Sequence, residues 1–423
     1  DLYTQRRTFL LAADYHQTKS LSYGLSFQRD TKEGYRSSGM ALGDTFGTAR
    51  SAILATPVDN VTDQGEAKVS YVKRRWQTAL SYKFSNFKND VDSVRWQNAF
   101  SLPTGVTEGQ AGQEPDNTMQ QLTLSGSYLF GQSTLASALL SYGRMEQNDD
   151  FLPYTINSSL SPSALPRTSL DGEVDIISVN LGVNSRLTNS FDIEAQYRQN
   201  EQDNNTPQAT YNYVIADTTD TSVVPAADAE TNLPYGFRQR EILVEGRYRL
   251  KKPHKFGVGY KYETYDRTFQ EVETTEENSL WGTYRNSVSK SWNWFLRLEA
   301  KGRTGDEYTP VSEINPIQNP LLRKYNLADR DRSKAVFSVS YVPQTKWQLS
   351  FFADYANDDY ANSVVGLRES EQTNYSLDFQ YRFTGDVTLN IDYTVTSIKS
   401  NQAGSSSYRE PNLSAEPDLS LIH

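Results

Sequence analysis

Apolar and polar residues alternate one by one along this chain, in runs of about ten residues or more. Val387, Leu389, Ile391, Tyr393 and Val395 interleave with Thr388, Asn390, Asp392, Thr394 and Thr396. Ile242, Val244, Gly246, Tyr248 and Leu250 alternate with Glu241, Glu245, Arg247 and Arg249, and Trp292, Trp294, Leu296, Leu298 and Ala300 with Asn293, Arg297, Glu299 and Lys301. Successive side chains of a strand point to opposite faces, so each run reads as a strand with one apolar and one polar face. About sixteen such segments occur, near 3–15, 20–29, 66–74, 76–87, 118–130, 133–145, 174–187, 190–201, 237–250, 255–266, 277–288, 291–303, 333–343, 346–356, 370–383 and 386–398. The segments at 66–74 and 277–288 fit least well: Val72 and Trp281 fall on the polar face, and Asn286 interrupts the apolar one. Strands of soluble proteins are typically ~5–6 residues long, whereas a tilted membrane strand needs ~9–11.

The connections alternate too. Short turns lie at 16–19, 131–132, 188–189, 251–254, 343–345 and 384–386, and long loops at 30–65, 88–117, 146–173, 202–236 and 304–332, with shorter ones at 267–276 and 357–369. Tight turns on one side and long loops on the other are the layout of outer-membrane barrels, the turns periplasmic and the loops extracellular. Only 37% of residues are hydrophobic, yet 12% are aromatic. One aromatic set sits beside the short turns (Tyr15, Trp76, Phe130, Phe191, Phe256, Trp292, Trp347, Phe383) and a second toward the long loops (Phe27, Phe84, Tyr142, Tyr197, Tyr262, Tyr355). Two belts one strand-length apart fit two membrane–water interfaces. The fold expected is an all-β, transmembrane, up-and-down antiparallel β-barrel in a bacterial outer membrane, with the apolar face on the lipid bilayer.

On this reading residues 1–398 are barrel, and 399–423 are an extracellular tail. Both ends fall on the loop side, so the expectation is an internal portion of a larger barrel with strands missing at each end. The polar face turns inward, and its charges Glu241, Glu245, Arg247, Arg249, Arg297, Glu299, Lys301, Asp378, Arg382 and Asp392 are the candidate lumen-facing contacts to a partner. Their signs are mixed, where a selective pore shows rings of one sign.

Few constellations suggest chemistry. The absence of Cys excludes disulfides, thiolate catalysis, Cys-ligated zinc and covalent haem attachment to this chain. A net charge of −10 argues against nucleic acid. His16 and His254 lie in short turns, away from the loop rim, and read as solvated turn residues; no catalytic or metal site is expected. Asp149-Asp150 and Asp358-Asp359 lack calcium-ligand spacing and read as solvated loop charge. Loop 202–236 carries Asp203, Asp217, Asp220, Asp228 and Glu230 with no Lys or Arg, an acidic outer surface.

The run Asn319-Pro320-Leu321-Leu322-Arg323-Lys324-Tyr325-Asn326-Leu327-Ala328-Asp329-Arg330-Asp331-Arg332, then Asp358-Asp359-Tyr360, then Val365-Gly366-Leu367 with Glu369 and Tyr375, resembles the C-terminal half of the MtrB/PioB family, the decahaem-associated outer-membrane barrels. Tyr265-Asp266-Arg267, Glu271 and Glu276 are similar to the same family. The resemblance implies a barrel of about twenty-six strands that sheathes a periplasm-facing decahaem c-type cytochrome, with a cell-surface multihaem cytochrome docked on the outer loops. It implies that haem is carried by these partners and none is bound by this chain. A CxxC near the N-terminus, frequent in one branch of the family, is absent here. The function expected is therefore a sheath for extracellular electron transfer and not an enzyme; the alternative is a wide general-diffusion porin with an open aqueous lumen.

Overall fold

The computed structural model describes residues 2–45, 48–97, 108–156, 164–212, 229–251, 253–287, 291–310, 319–344, 346–360, 362–404 and 420–422. Sixteen long strands follow one another: β1 (Thr4–His16), β2 (Leu21–Thr45), β3 (Thr48–Lys73), β4 (Trp76–Asn89), β5 (Asn117–Phe130), β6 (Thr134–Gln147), β7 (Gly172–Thr188), β8 (Phe191–Asn204), β9 (Phe237–Lys251), β10 (His254–Arg267), β11 (Thr274–Asn286), β12 (Trp292–Gly305), β13 (Arg330–Gln344), β14 (Trp347–Asp359), β15 (Val365–Arg382) and β16 (Thr388–Gly404). They fall into two compact units, the first made of residues 1–126, 139–178 and 201–236, the second of 127–138, 179–200 and 237–423.

In the first unit β1 to β4 form an antiparallel meander. The long loop expected at 30–65 is instead ladder: β2 and β3 stay paired far past the expected strand ends, with Thr31 opposite Val61 and Tyr35 opposite Pro57. The outward row that carries Leu21, Tyr23, Leu25 and Phe27 turns polar at Arg29, whose guanidinium donates twice to Asp63 at 2.7 and 2.6 Å. Beyond that pair the alternation fades, although the backbone pairing continues. Apolar patterning reports what a face touches, and backbone hydrogen bonds need no such contact. A second ladder pairs Ser93–Gln97 with Glu108–Gly112. Arg36 reaches across to it, donating to Glu114 at 2.6 Å, and this hydrogen bond holds the Glu114 carboxyl below the usual range.

In the second unit β9 to β16 form an uninterrupted antiparallel meander. Its large apolar side chains are open: Leu280 is 57% exposed, Leu298 55% and Ile391 54%. Among the described residues nothing forms a second layer over Leu296, Leu377 and Ile391, as expected of a single sheet whose apolar face is completed by lipid. Near the short turns Trp292 stacks on Tyr341 at 4.1 Å, Tyr341 meets Trp347 edge-on at 5.4 Å, and Trp347 lies 6.4 Å from Phe379. This is a continuous aromatic belt over four strands. β16 runs to Gly404, past the expected end at 398, and Gln402–Gly404 pair with Ser420–Ile422.

The best-buried apolar residues of this unit lie in the connections on the long-loop side. Leu327 is 1% exposed and Val272 2%, with Ala328, Tyr360 and Val365 also buried. Leu322-Arg323 add a short parallel pairing to Val365-Gly366. Gly366 has φ of 118°, and a Cβ there would stand 2.4 Å from the Arg323 carbonyl oxygen, so only glycine fits. Arg303 donates to the carbonyls of Tyr325 and Ala328 at 2.6 and 2.7 Å, and Lys324 pairs with the fully buried Glu271. Residues 319–332 thus form a folded knot.

Of the acidic loop 202–236, Asp203 belongs to β8 and Glu230 pairs with Tyr211, whereas Asp217, Asp220 and Asp228 lie outside the described residues. His254 departs from the expected solvated turn. It opens β10 and lies within hydrogen-bond distance of the Tyr284 hydroxyl (2.9 Å) and of the Asn286 amide (3.0 Å), which accounts for the polar interruption at Asn286.

Candidate functional site: the charged face of the second unit

Strand register brings the polar faces of β9 to β14 into one surface. Glu245 stands opposite Gly259, which stands opposite Trp281; Trp281 faces Glu299, and Glu299 faces Lys334. One row lower, Arg247, Gly257, Thr283 and Arg297 follow in the same way.

These charges are mostly neutralised in place. Lys261 bridges Glu241 at 3.2 Å and Glu263 at 2.7 Å. Arg247 meets Glu194 at 3.2 Å and Glu245 at 3.7 Å, and Arg249 lies 3.8 Å from Asp192. Glu299, whose side chain is 7% exposed, sits between Arg297 at 2.5 Å and Lys301 at 2.9 Å. Lys334 pairs with Asp354 at 3.3 Å, and Arg330 with Glu277 at 2.7 Å. At an open surface such pairs contribute ~0–1 kcal/mol each, whereas removing one partner of a partly buried pair leaves an uncompensated charge.

Seven of the residues expected from sequence, Glu241, Glu245, Arg247, Arg249, Arg297, Glu299 and Lys301, each take part in an ion pair on this face. Asp378, Arg382 and Asp392 stand apart from these pairs, on β15 and β16. Asp378 lies directly opposite Asp392, and among the described residues neither they nor Arg382 make an ion pair. Trp281, which the sequence sets on the polar face only as a misfit to the strand pattern, is a full member of this face: it is 5% exposed, its indole donates to Glu245 at 3.1 Å, and the Arg297 guanidinium lies 4.7 Å from its ring. Its position on the polar side of β11 was the available signal. Lys261 and Glu263 were missed by sequence reasoning; both lie on the polar face of β10, at the positions opposite Leu243 and Glu241.

Among the described residues no group of three or more His, Asp or Glu side chains is arranged to hold a metal. At Asp149 the carboxylate accepts the Asp116 backbone N–H at 2.7 Å, a capping role. The arrangement as a whole suits a polar wall, with no nucleophile–base pair in it.

Residues 1–416 match the sequence family of outer membrane beta-barrel porins, MtrB/PioB. The chain belongs to the MtrB/PioB family. It is 33% identical over 412 residues to "Outer membrane protein MtrB" of Shewanella baltica (strain OS185), covering 97% of this chain and 57% of that protein. The chain thus spans a little over half the length of this relative. Solved structures of the same fold include the FrpB iron transporter of Neisseria meningitidis (TM-score 0.52, 11% identity, 94% of this chain and 62% of that one). The ferric yersiniabactin uptake receptor FyuA of Yersinia pestis is similar to the same degree (TM-score 0.52, 12% identity, 93% and 59%). At these identities the likeness concerns the fold alone. This MtrB/PioB protein is an outer-membrane β-barrel.

Proposed function

We propose that this barrel sheathes and positions a multihaem c-type cytochrome, so that electrons cross the outer membrane through haems held inside it. Membership of the MtrB/PioB family is the observation that carries this reading. The polar wall fits it: charges paired within the wall present a polar surface of mixed sign to an occupant, where rings of one sign would select ions. The chain has no Cys for thioether attachment, so the haems belong to the partner. The barrel's contribution is insulation and position. The apolar face meets lipid, the short turns lie in the periplasm where the decahaem partner enters, and the folded knot of 319–332 helps form an outer platform for a cell-surface multihaem cytochrome.

The test is a pull-down from detergent-solubilised outer membrane, read by haem staining. A stoichiometric haem protein is expected. Repeated recovery of the barrel alone, with large open-pore conductance in planar bilayers, would put the open porin in its place.

A further inference from the structure

At the short-turn end of the second unit's polar face lies a concave site of about 630 Å³. Its lining holds six cations, Arg186, Arg247, Arg249, Lys255, Arg285 and Arg297, against two carboxylates, Asp192 and Glu245. Glu194 and Glu299, just outside the lining, pair with Arg247 and Arg297, so the excess of positive charge narrows to the cations nearest the turns.

Strand register sharpens the point. Arg249 stands directly opposite Lys255, and Lys255 directly opposite Arg285, so three cations form a row across β9, β10 and β11. Like charges facing one another across strands destabilise a sheet. Most charges of β9 to β14 are paired within the wall, whereas in this row, among the described residues, only Arg249 has a carboxylate within ion-pair distance. Asp192 is shared between Arg186 at 3.2 Å and Arg249 at 3.8 Å. Lys255 and Arg285 are exposed, and among the described residues neither has a carboxylate within ion-pair distance. The Arg285 guanidinium lies over the Phe295 ring, 4.9 Å from its centre, and among the described residues its N–H groups make no side-chain hydrogen bond.

We propose that this row is a docking surface for a carboxylate-rich protein face, presented by the occupant of the barrel. The inference rests on the reading that a protein occupies the lumen. It adds that the occupant's acidic side meets the short-turn end of β9 to β11, where charge attraction draws it in and fixes its orientation. A row of exposed cations a strand spacing apart matches carboxylates spread over a protein surface better than one small anion.

Two measurements test it with the intact barrel. The first compares wild type with the Lys255→Gln/Arg285→Gln double variant in the haem-stained pull-down, washed at rising salt. The second titrates purified barrel in detergent with a ten-residue polyglutamate peptide and, separately, with inorganic phosphate. The expected result is that the variant loses its haem protein at lower salt than wild type. It also binds the peptide about tenfold more weakly at low ionic strength, a gap that closes by about 0.5 M salt as the charges are screened. If wild type recovers a haem protein and the variant holds it equally well at every salt concentration, the docking row is overturned while the sheath stands. If wild type recovers none, the sheath reading fails, and the peptide titration decides: salt-sensitive binding lost in the variant supports an acidic protein ligand, and no binding overturns it. Saturable phosphate binding without peptide binding overturns it in favour of a small-anion site.

Discussion

The indole N–H of Trp281 donates to the Glu245 carboxylate at 3.1 Å although a whole strand, β10, runs between them. The contact exists because the intervening residue is Gly259, over which the indole lies: a Cβ there would stand 2.2 Å from the ring. Glycine makes room, the ring fills it, and a buried polar atom gains its partner.

Gly259→Ala is therefore expected to displace the Trp281 ring and cost about 1–3 kcal/mol, as overpacking does. Urea unfolding in micelles measures the loss, and tryptophan emission should shift to the red. Because both effects run through one ring, Gly259→Ala in a Trp281→Phe background should cost clearly less. Equal costs in the two backgrounds would show that the ring is not the obstacle.

Glu299 holds two cations from a nearly closed position, whereas Glu194, with 33% of its side chain exposed, holds one. Glu299→Gln leaves Arg297 and Lys301 facing each other without their shared counter-charge. It should cost about 1–3 kcal/mol, and Glu194→Gln about 0–1 kcal/mol. The ranking of the two unfolding midpoints is the check, and a reversed order refutes the account of these ion pairs.

On β15, Leu377 lies on the apolar face and Ser376 on the polar one. An arginine on the lipid face near mid-membrane costs ~2–4 kcal/mol, and a polar wall accommodates one. Leu377→Arg should therefore cut the yield of heat-modifiable barrel in outer membranes, while Ser376→Arg leaves it near wild type. Comparable yields from the two variants would mean that the faces are assigned wrongly.

The strands were legible because each has two unlike environments, lipid and polar interior, which write a period of two into the residues. Where that contrast ends, the legibility ends. Beyond Arg29 and Asp63 the strict alternation is lost, β2 being mostly polar and β3 carrying the consecutive run Ala52-Ile53-Leu54-Ala55, and the paired hairpin reads as loop. Of the site, seven charges were placed by parity alone. Lys255 and Arg285 gain their meaning only from register, since 30 positions separate residues that stand face to face. Likewise the run 319–332 stood out as a motif, but its knot depends on partners in other loops, such as Glu271 and Gly366.

That knot gives a local prediction. Leu327 is its most enclosed apolar side chain, and Leu327→Ala should cost about 2–5 kcal/mol within the knot. The ladders of β9 to β16 are paired through their own backbones. Limited proteolysis should then cut between 319 and 332 in the variant, with the heat-modifiable barrel retained. Loss of the barrel together with the loop would show that the knot is part of the spanning fold.

The link between Arg36 and Glu114 sets a pH dependence on the loop side of the first unit. The Arg36 hydrogen bond depresses the Glu114 carboxyl below its usual value. A group whose folded pKa is lowered adds stability that is fully present above its unfolded pKa and is lost as pH falls through the folded one. The Ser93–Gln97 and Glu108–Gly112 ladder, to which Glu114 is tethered, should therefore stay protected at pH 7 and loosen progressively below about pH 4.3, the ordinary glutamate value. Both side chains are well exposed, so the effect is small and weakens with salt. Hydrogen exchange of residues 108–116 between pH 7 and pH 3, corrected for the intrinsic rate, reads it directly. Arg36→Gln should raise exchange at pH 7 and flatten the acid-dependent change; a variant that keeps the wild-type pH profile would remove the ion pair as its cause.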